Sequence, residues 1–288
     1  MSSVLSIGIV GSGFVGETTG VGLSHFGLRP IFMDIDDERL KFIHNKTGFE
    51  ITNDISEIVA NCEIVFICVP TPTKNNIQVL DYIKNVTEEI GKNLAHNKSY
   101  KLIVVRSTIL PYTTKKVILP ILEEKSENTC GIDFGLCTNP EFITEKNSLK
   151  DFLNPSRIIV GEYDRKSGEI LSKIYEPFNA PIIRTTLTEA ELIKYIANTF
   201  LTTKISFFNL SYLISERFGL NSDLINEAVS LDPRIGKYGT VGGRSFNGSC
   251  LPKDLEAFEQ FLKDNKIEGD LLEEVDRINK NPRLKRIN

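Results

Sequence analysis

Histidine is scarce in this 288-residue sequence: His25, His44 and His96 are its only three, and none falls within a recognisable motif. Chemistry built on this chain is not expected to use a histidine base. Cysteine is limited to five residues, an odd number with no C-x-x-C pair, which argues against a disulfide framework or a zinc site. Cys62, Cys68 and Cys137 fall in or beside apolar strand patterns and read as core residues. No stretch of 18 apolar residues is present, and the N-terminus runs into a strand pattern rather than a signal sequence, so the expected setting is the cytoplasm, away from membranes. A basic excess is also missing: the net charge is −4, which speaks against a nucleic-acid partner.

The content is that of an α/β enzyme. With 41% hydrophobic residues the chain can build two cores, and its length suits two domains, drawn here as 1–186 and 187–288. Val4 to Val10 reads as a buried parallel strand, and Gly11-Ser12-Gly13-Phe14-Val15-Gly16 follows as G-x-G-x-x-G, opening a helical pattern from Val15 to about Phe26. Such a turn lets backbone approach a pyrophosphate at a helix N-terminus. A second strand, Pro30 to Met33, ends in Asp34, where a carboxylate would accept from both ribose hydroxyls and repel a 2′-phosphate. NAD is the expected cofactor, and nearby Arg39 is the residue that could instead accommodate NADP.

Further strands are expected at Ile64 to Val69, Leu102 to Val105, Phe134 to Cys137, Ile158 to Val160 and Ile182 to Ile183, alternating with amphipathic stretches. This pattern predicts a doubly wound, Rossmann-type parallel sheet with ligands at the strands' carboxyl ends. Those ends carry Pro70-Thr71-Pro72-Thr73 after Val69, Arg106-Ser107-Thr108, and Thr138-Asn139-Pro140-Glu141. From Leu187 the period becomes helical. Thr188 can cap with Glu191 at the third position, and the pattern continues to about Phe218, a helix of ~45 Å in a domain expected to be all-helical. Its length suggests a spine between domains and a homodimer interface.

Gly248-Ser249-Cys250-Leu251-Pro252-Lys253-Asp254 places a thiol ahead of a helix that Pro252 is suited to start. The helix dipole and Lys253 would both favour a thiolate, making Cys250 a candidate nucleophile, against the plainer reading of a small buried hydrophobe. Lys194 and Asn198 fall on one helix face, a pairing that by itself fits a solvated stripe.

Taken in order, the G-x-G-x-x-G at Gly11, Val69-Pro70-Thr71-Pro72-Thr73, Ser107-Thr108, Asn139-Pro140-Glu141-Phe142, Ala190-Glu191-Leu192-Ile193-Lys194-Tyr195 with Asn198, Arg234-Ile235-Gly236 and Cys250-Leu251-Pro252-Lys253-Asp254 resemble the UDP-glucose/GDP-mannose dehydrogenase family. The resemblance implies oxidation of the C6 hydroxymethyl of a nucleotide-sugar, a UDP-sugar by preference, to a carboxylate with two NAD and one water. It makes Cys250 the nucleophile of a thiohemiacetal and thioester. Lys194, helped by Asn198, would stabilise the C6 oxyanion. Asp254 would order a water, and Glu141 would serve as acid/base with Thr108 holding the water. Glu145 would lie near nicotinamide and substrate, beside Phe142. Arg234 would reach the substrate of a neighbouring subunit, and Asn247 and Gly248 would belong to a loop closing over the sugar.

Departures from the family pattern are Asn247 and Lys146 where glycine is usual, and Leu210 where a glutamate usually follows Asn209. Relatives carry a further α/β domain of ~100 residues for the nucleotide base, which this sequence is expected to lack. Two other readings remain: a two-domain β-hydroxyacid dehydrogenase, which needs the lysine but no thiol, and a catalytically impaired NAD-binding or assembly protein. The basic ending Lys280, Arg283, Lys285, Arg286 reads as a solvated tail.

Overall fold

The computed structural model describes residues 5–284, so Val4, Lys285 and Arg286 lie outside the described residues. The chain divides into two compact units, one formed by residues 1–72 and 79–194, the other by 73–78 and 195–288.

The first unit is an eight-stranded sheet. Its strands are β1 Ser6–Val10, β2 Arg29–Met33, β3 Glu50–Thr52, β4 Ile64–Ile67, β7 Lys101–Val105, β8 Phe134–Thr138, β9 Ile158–Glu162 and β10 Ile182–Thr186, in spatial order β10-β9-β8-β7-β4-β1-β2-β3. β5 Thr73–Lys74 and β6 Ile77–Gln78 form an antiparallel hairpin in the other unit. All neighbours in the large sheet pair parallel except β8 and β9, so the last two strands run against the other six. Alternate side chains feed two cores. Ile7, Ile9, Ile64 and Phe66 pack with α1 Phe14–Ser24, α2 Asp37–Thr47, α6 Ser148–Leu153 and α7 Arg165–Tyr175. Val10, Val65 and Ile67 pack with α3 Ile55–Asn61, α4 Asp81–Leu94 and α5 Leu119–Ser126. Helices therefore cover both faces, as the near-continuous apolar strands require.

α8, Leu187–Phe218, gives its start to the first unit and its remainder to the second, which also holds α9 Ser222–Ser230, α10 Leu251–Asp264 and α11 Asp270–Asn279. α8 stops where Gly219 takes φ +66°. Its start differs from the expected box of Thr188 and Glu191. Thr186 and Glu189 form the capping box, with Thr186 N–H donating to Glu189 Oε2 at 3.0 Å and Glu189 N–H to Thr186 Oγ1 at 3.3 Å. Glu191 is recruited elsewhere.

Candidate active site

The turn after β1 is built for close approach. Gly11 sits at φ +91°, where a Cβ would come within 2.8 Å of the Cys68–Val69 backbone, and a Cβ on Gly16 would meet the Gly11 carbonyl oxygen at 2.0 Å. Only glycine fits either place. Gly13 caps α1, and a Cβ there would meet nothing within 4 Å, which leaves the first amides of an 11-residue helix open to an anion. This cradle fits a dinucleotide pyrophosphate. Phe14 is exposed and Val15 half-buried at the same helix start.

Ser12 N–H donates to Asp34 Oδ2 at 2.6 Å, and Asp36 N–H to Asp34 Oδ1 at 3.1 Å, fixing the carboxylate at the end of β2. Arg39 is engaged: its Nε donates to Ser12 O at 2.6 Å and its Nη2 pairs with Glu17, which also receives Lys46 at 2.6 Å. Burial works against ionisation of Glu17, but the bonds from Lys46 and Arg39 outweigh it and hold the carboxyl below its ordinary pKa. The guanidinium that could have taken a 2′-phosphate is thus balanced by a carboxylate.

The strand-end turns brace one another. Ser107 Oγ donates to Val69 O and Thr71 Oγ1 to Thr108 O, both at 2.6 Å, while Pro70 stands exposed and Pro72 half-buried beside them. Thr73 belongs to the hairpin, where its Oγ1 donates to Lys253 O at 2.9 Å. At the end of β8, Lys194 Nζ donates to Glu141 O at 2.6 Å and to Glu141 Oε1 at 2.9 Å, and both side chains are buried. Burial would push Glu141 upward. The Lys194 ammonium, the Ile143 N–H at 2.7 Å and the Arg106 guanidinium overcome it and hold the carboxyl below its ordinary value. Phe142 stacks under Arg157 at 3.8 Å and lies 5.3 Å from Lys194 Nζ. Glu145 is exposed and opens a short 3₁₀ turn, Glu145–Asn147.

The other group of residues lies in the second unit. Asp254, 1% exposed, accepts from Asn198 Nδ2 at 2.7 Å and from Lys253 Nζ at 2.6 Å. Lys253 therefore answers Asp254, a partner the sequence reading did not foresee. Cys250 is the N-cap of α10, one residue before Leu251, so that Pro252 occupies the second position rather than the first. It is half-buried, with Ser249 Oγ 3.6 Å from its sulfur. The other four cysteines are buried. Desolvation pushes the thiols of Cys62, Cys68 and Cys130 up to about 12 and that of Cys137 well above its ordinary value, which leaves them inert at neutral pH. Arg234 is exposed and forks onto Asp232, while Asn247 and Gly248 are exposed in the loop before Cys250.

Some supports were not read from the sequence. Buried Asn209 holds the Gly243 and Arg244 amides at 2.9 and 3.2 Å, and Asn279 exchanges bonds with Phe246 at 2.7 and 3.1 Å, pinning the approach to Cys250. Arg106 is buried, donating to Thr19 Oγ1 at 2.7 Å and to Asn139 O at 3.2 Å. With Tyr175 and Phe142 it lines a cavity of about 300 Å³.

Family models match the NAD-binding domain of the UDP-glucose/GDP-mannose dehydrogenase family over residues 39–179 and its central domain over 188–281. A GDP-mannose 6-dehydrogenase of Pseudomonas savastanoi pv. phaseolicola is 35% identical over 96% of this chain and 68% of its own length. The chain belongs to the UDP-glucose/GDP-mannose dehydrogenase family. It is an NAD-dependent nucleotide-sugar 6-dehydrogenase by that membership. A UDP-glucose 6-dehydrogenase of Bacillus subtilis is 33% identical, with 96% of this chain and 63% of that protein covered. The solved structure of a UDP-glucose dehydrogenase from Pyrobaculum islandicum superposes with a TM-score of 0.89 at 31% identity, over 97% of this chain and 68% of the other. No helix among the described residues is long and apolar enough to cross a membrane.

Proposed function

We propose that this dehydrogenase converts the C6 hydroxymethyl of UDP-glucose to the carboxylate in two oxidations through a covalent intermediate on Cys250. The observation that carries this reading is the contrast among the cysteines: four are buried, and Cys250 alone is half-exposed, at the dipole-positive end of a 14-residue helix. Bound NAD supplies the hydride acceptor in each oxidation. The Gly11–Gly16 turn would hold its pyrophosphate and Asp34 its adenosine ribose, while Ser107 and Glu145 would line the nicotinamide side.

Lys194 has three N–H donors, two of them committed to Glu141, and the third would stabilise oxyanion character at C6. Attack of the Cys250 thiolate on the C6 aldehyde forms the C–S bond of a thiohemiacetal. Loss of hydride gives a thioester, and water then cleaves the C–S bond to release carboxylate and thiol. Asp254, fixed by Asn198 and Lys253, would orient that water, with Thr108 as a further contact and Glu141 as the acid/base that exchanges its proton. Phe142, Asn247 and Gly248 would border the sugar.

The enzyme would act as a homodimer. Ile196, Phe200, Phe207, Leu210, Ile214 and Phe218 recur at helical spacing along α8 with 40–72% of their surface exposed, a stripe of ~33 Å that a second copy would cover. Arg234 would then serve the neighbour's substrate. The test is NADH formed per sugar consumed with UDP-glucose and GDP-mannose. Two per sugar with UDP-glucose, and a stall at the aldehyde level in Cys250→Ser, are expected. One per turnover with full activity in Cys250→Ala would favour simple hydroxyacid-type oxidation.

A further inference from the structure

Glu191 is the most conspicuous buried ionisable group that the reaction above leaves without a task. It is 2% exposed, and its two oxygens accept from the Tyr112 and Thr114 amides, both at 2.7 Å, from 79 and 77 residues away in sequence. Burial pushes its carboxyl up to about 7 against those bonds, so keeping an acid there opposes desolvation. What it holds is itself unusual. Tyr112 sits at φ +73°, a left-handed conformation that a bulky residue rarely adopts and that marks functional sites when the surroundings enforce it.

The bonds around Glu191 form a closed ring within the first unit. Thr114 Oγ1 lies 3.0 Å from Thr138 Oγ1 at the end of β8, and three residues later Glu141 receives Lys194, which is one turn of α8 beyond Glu191. On its other side, the turn held at Tyr112 begins at Thr108, whose carbonyl is tied to Thr71. We propose that Glu191 is a positioning residue that locks the Thr108–Tyr112 turn to the turn of α8 carrying Lys194, so that both meet the reacting carbon in register. This rests on the roles given above to Lys194 and Thr108. A cap on one short helical segment would be supplied by a neighbouring serine or aspartate. A carboxylate reaching from another element couples two parts of the site.

The experiment uses the whole chain with NAD and UDP-glucose. Glu191→Gln leaves one of the two amides without its acceptor, and Glu191→Asp shortens the reach if the amide variant folds poorly. Either should lower kcat ~10–100-fold while KM for the sugar, NAD affinity and melting temperature stay close to the parent. Adding Tyr112→Gly, which removes the left-handed strain, should recover part of the lost kcat. Parental kcat in both Glu191 variants would overturn the proposal. So would a loss of kcat that tracks lost NAD binding and lost melting temperature without recovery by Tyr112→Gly. Lys194→Ala separates the two readings: retained turnover there sinks the role of Lys194 and this proposal with it. Lost turnover there beside parental kcat in Glu191→Gln sinks the present one alone.

Discussion

Replacing Lys194 by methionine should make stability depend on pH with a sign opposite to that of the parent pair. Lys194 and Glu141 are buried together, with an Nζ to Oε1 distance of 2.9 Å. At an effective dielectric of about 20 their attraction is ~6 kcal/mol, and after desolvation is counted, breaking such a pair by removing one partner costs ~3–5 kcal/mol. In the parent, Glu141 has a folded pKa below its ordinary value of 4.5, so its contribution is present above that value and is lost as pH falls through the folded pKa. Without the ammonium, burial is left as the largest influence and raises the folded pKa. The contribution is then present below 4.5 and is lost as pH rises. The cost of Lys194→Met should therefore be smallest, ~1 kcal/mol, at an acid pH below the folded pKa of Glu141, where that carboxyl is neutral in parent and variant alike and only a neutral hydrogen bond is missing, and grow to ~3–5 kcal/mol at pH 8. Urea denaturation followed by circular dichroism at the two pH values measures it, and adding Glu141→Gln should recover much of the loss at pH 8. A cost that is the same at both pH values would refute the reasoning.

Asp34→Ala should weaken NAD by ~1.5–3 kcal/mol and narrow its advantage over NADP, checked by calorimetry; equal affinities in the parent would contradict the role of the Asp34 carboxylate. Phe207→Glu, in the middle of the exposed stripe of α8, should shift the protein from dimer to monomer by light scattering; a monomeric parent would remove the basis for that interface. Thr186→Ala should cost ~1 kcal/mol in thermal or urea unfolding, and Thr188→Ala much less, because the bonds to the first turn of α8 come from Thr186.

The strands of the large sheet were legible because both faces are covered: runs such as Ile64–Ile67 and Leu102–Val105 are buried throughout and so read as apolar blocks. The reversal between β8 and β9 was not, since direction leaves no mark on the composition of a strand. The β5–β6 hairpin escaped because its strands are two residues long, and its turn relies on Asn75 and Asn76 at φ +51° and +63° with no glycine to announce it. Two T-x-x-E boxes overlap at the start of α8, and local sequence cannot rank them. The choice was made at long range, by the Tyr112 and Thr114 amides that draw Glu191 away. Cys250 announced itself through the helix it precedes. Asp254's partner Asn198 did not, because side-chain pairing across 56 residues has no local signature.

The hairpin also governs how the chain can be made and cut. Residues 73–78 are translated in the midst of the sheet unit, yet they complete the other one, bonding to Lys253 across 180 residues and to Tyr195 across 117. A growing chain must carry this short ribbon without its α10 contacts until residues 251–264 have emerged, so the second unit closes only late and at the entropic cost of a very long loop. No single cleavage separates the two units into whole pieces, for the polypeptide passes from one to the other three times. A fragment ending near residue 186 would keep the ribbon and lose α10, against which it packs, while a fragment beginning there would lack the two strands that α10 receives.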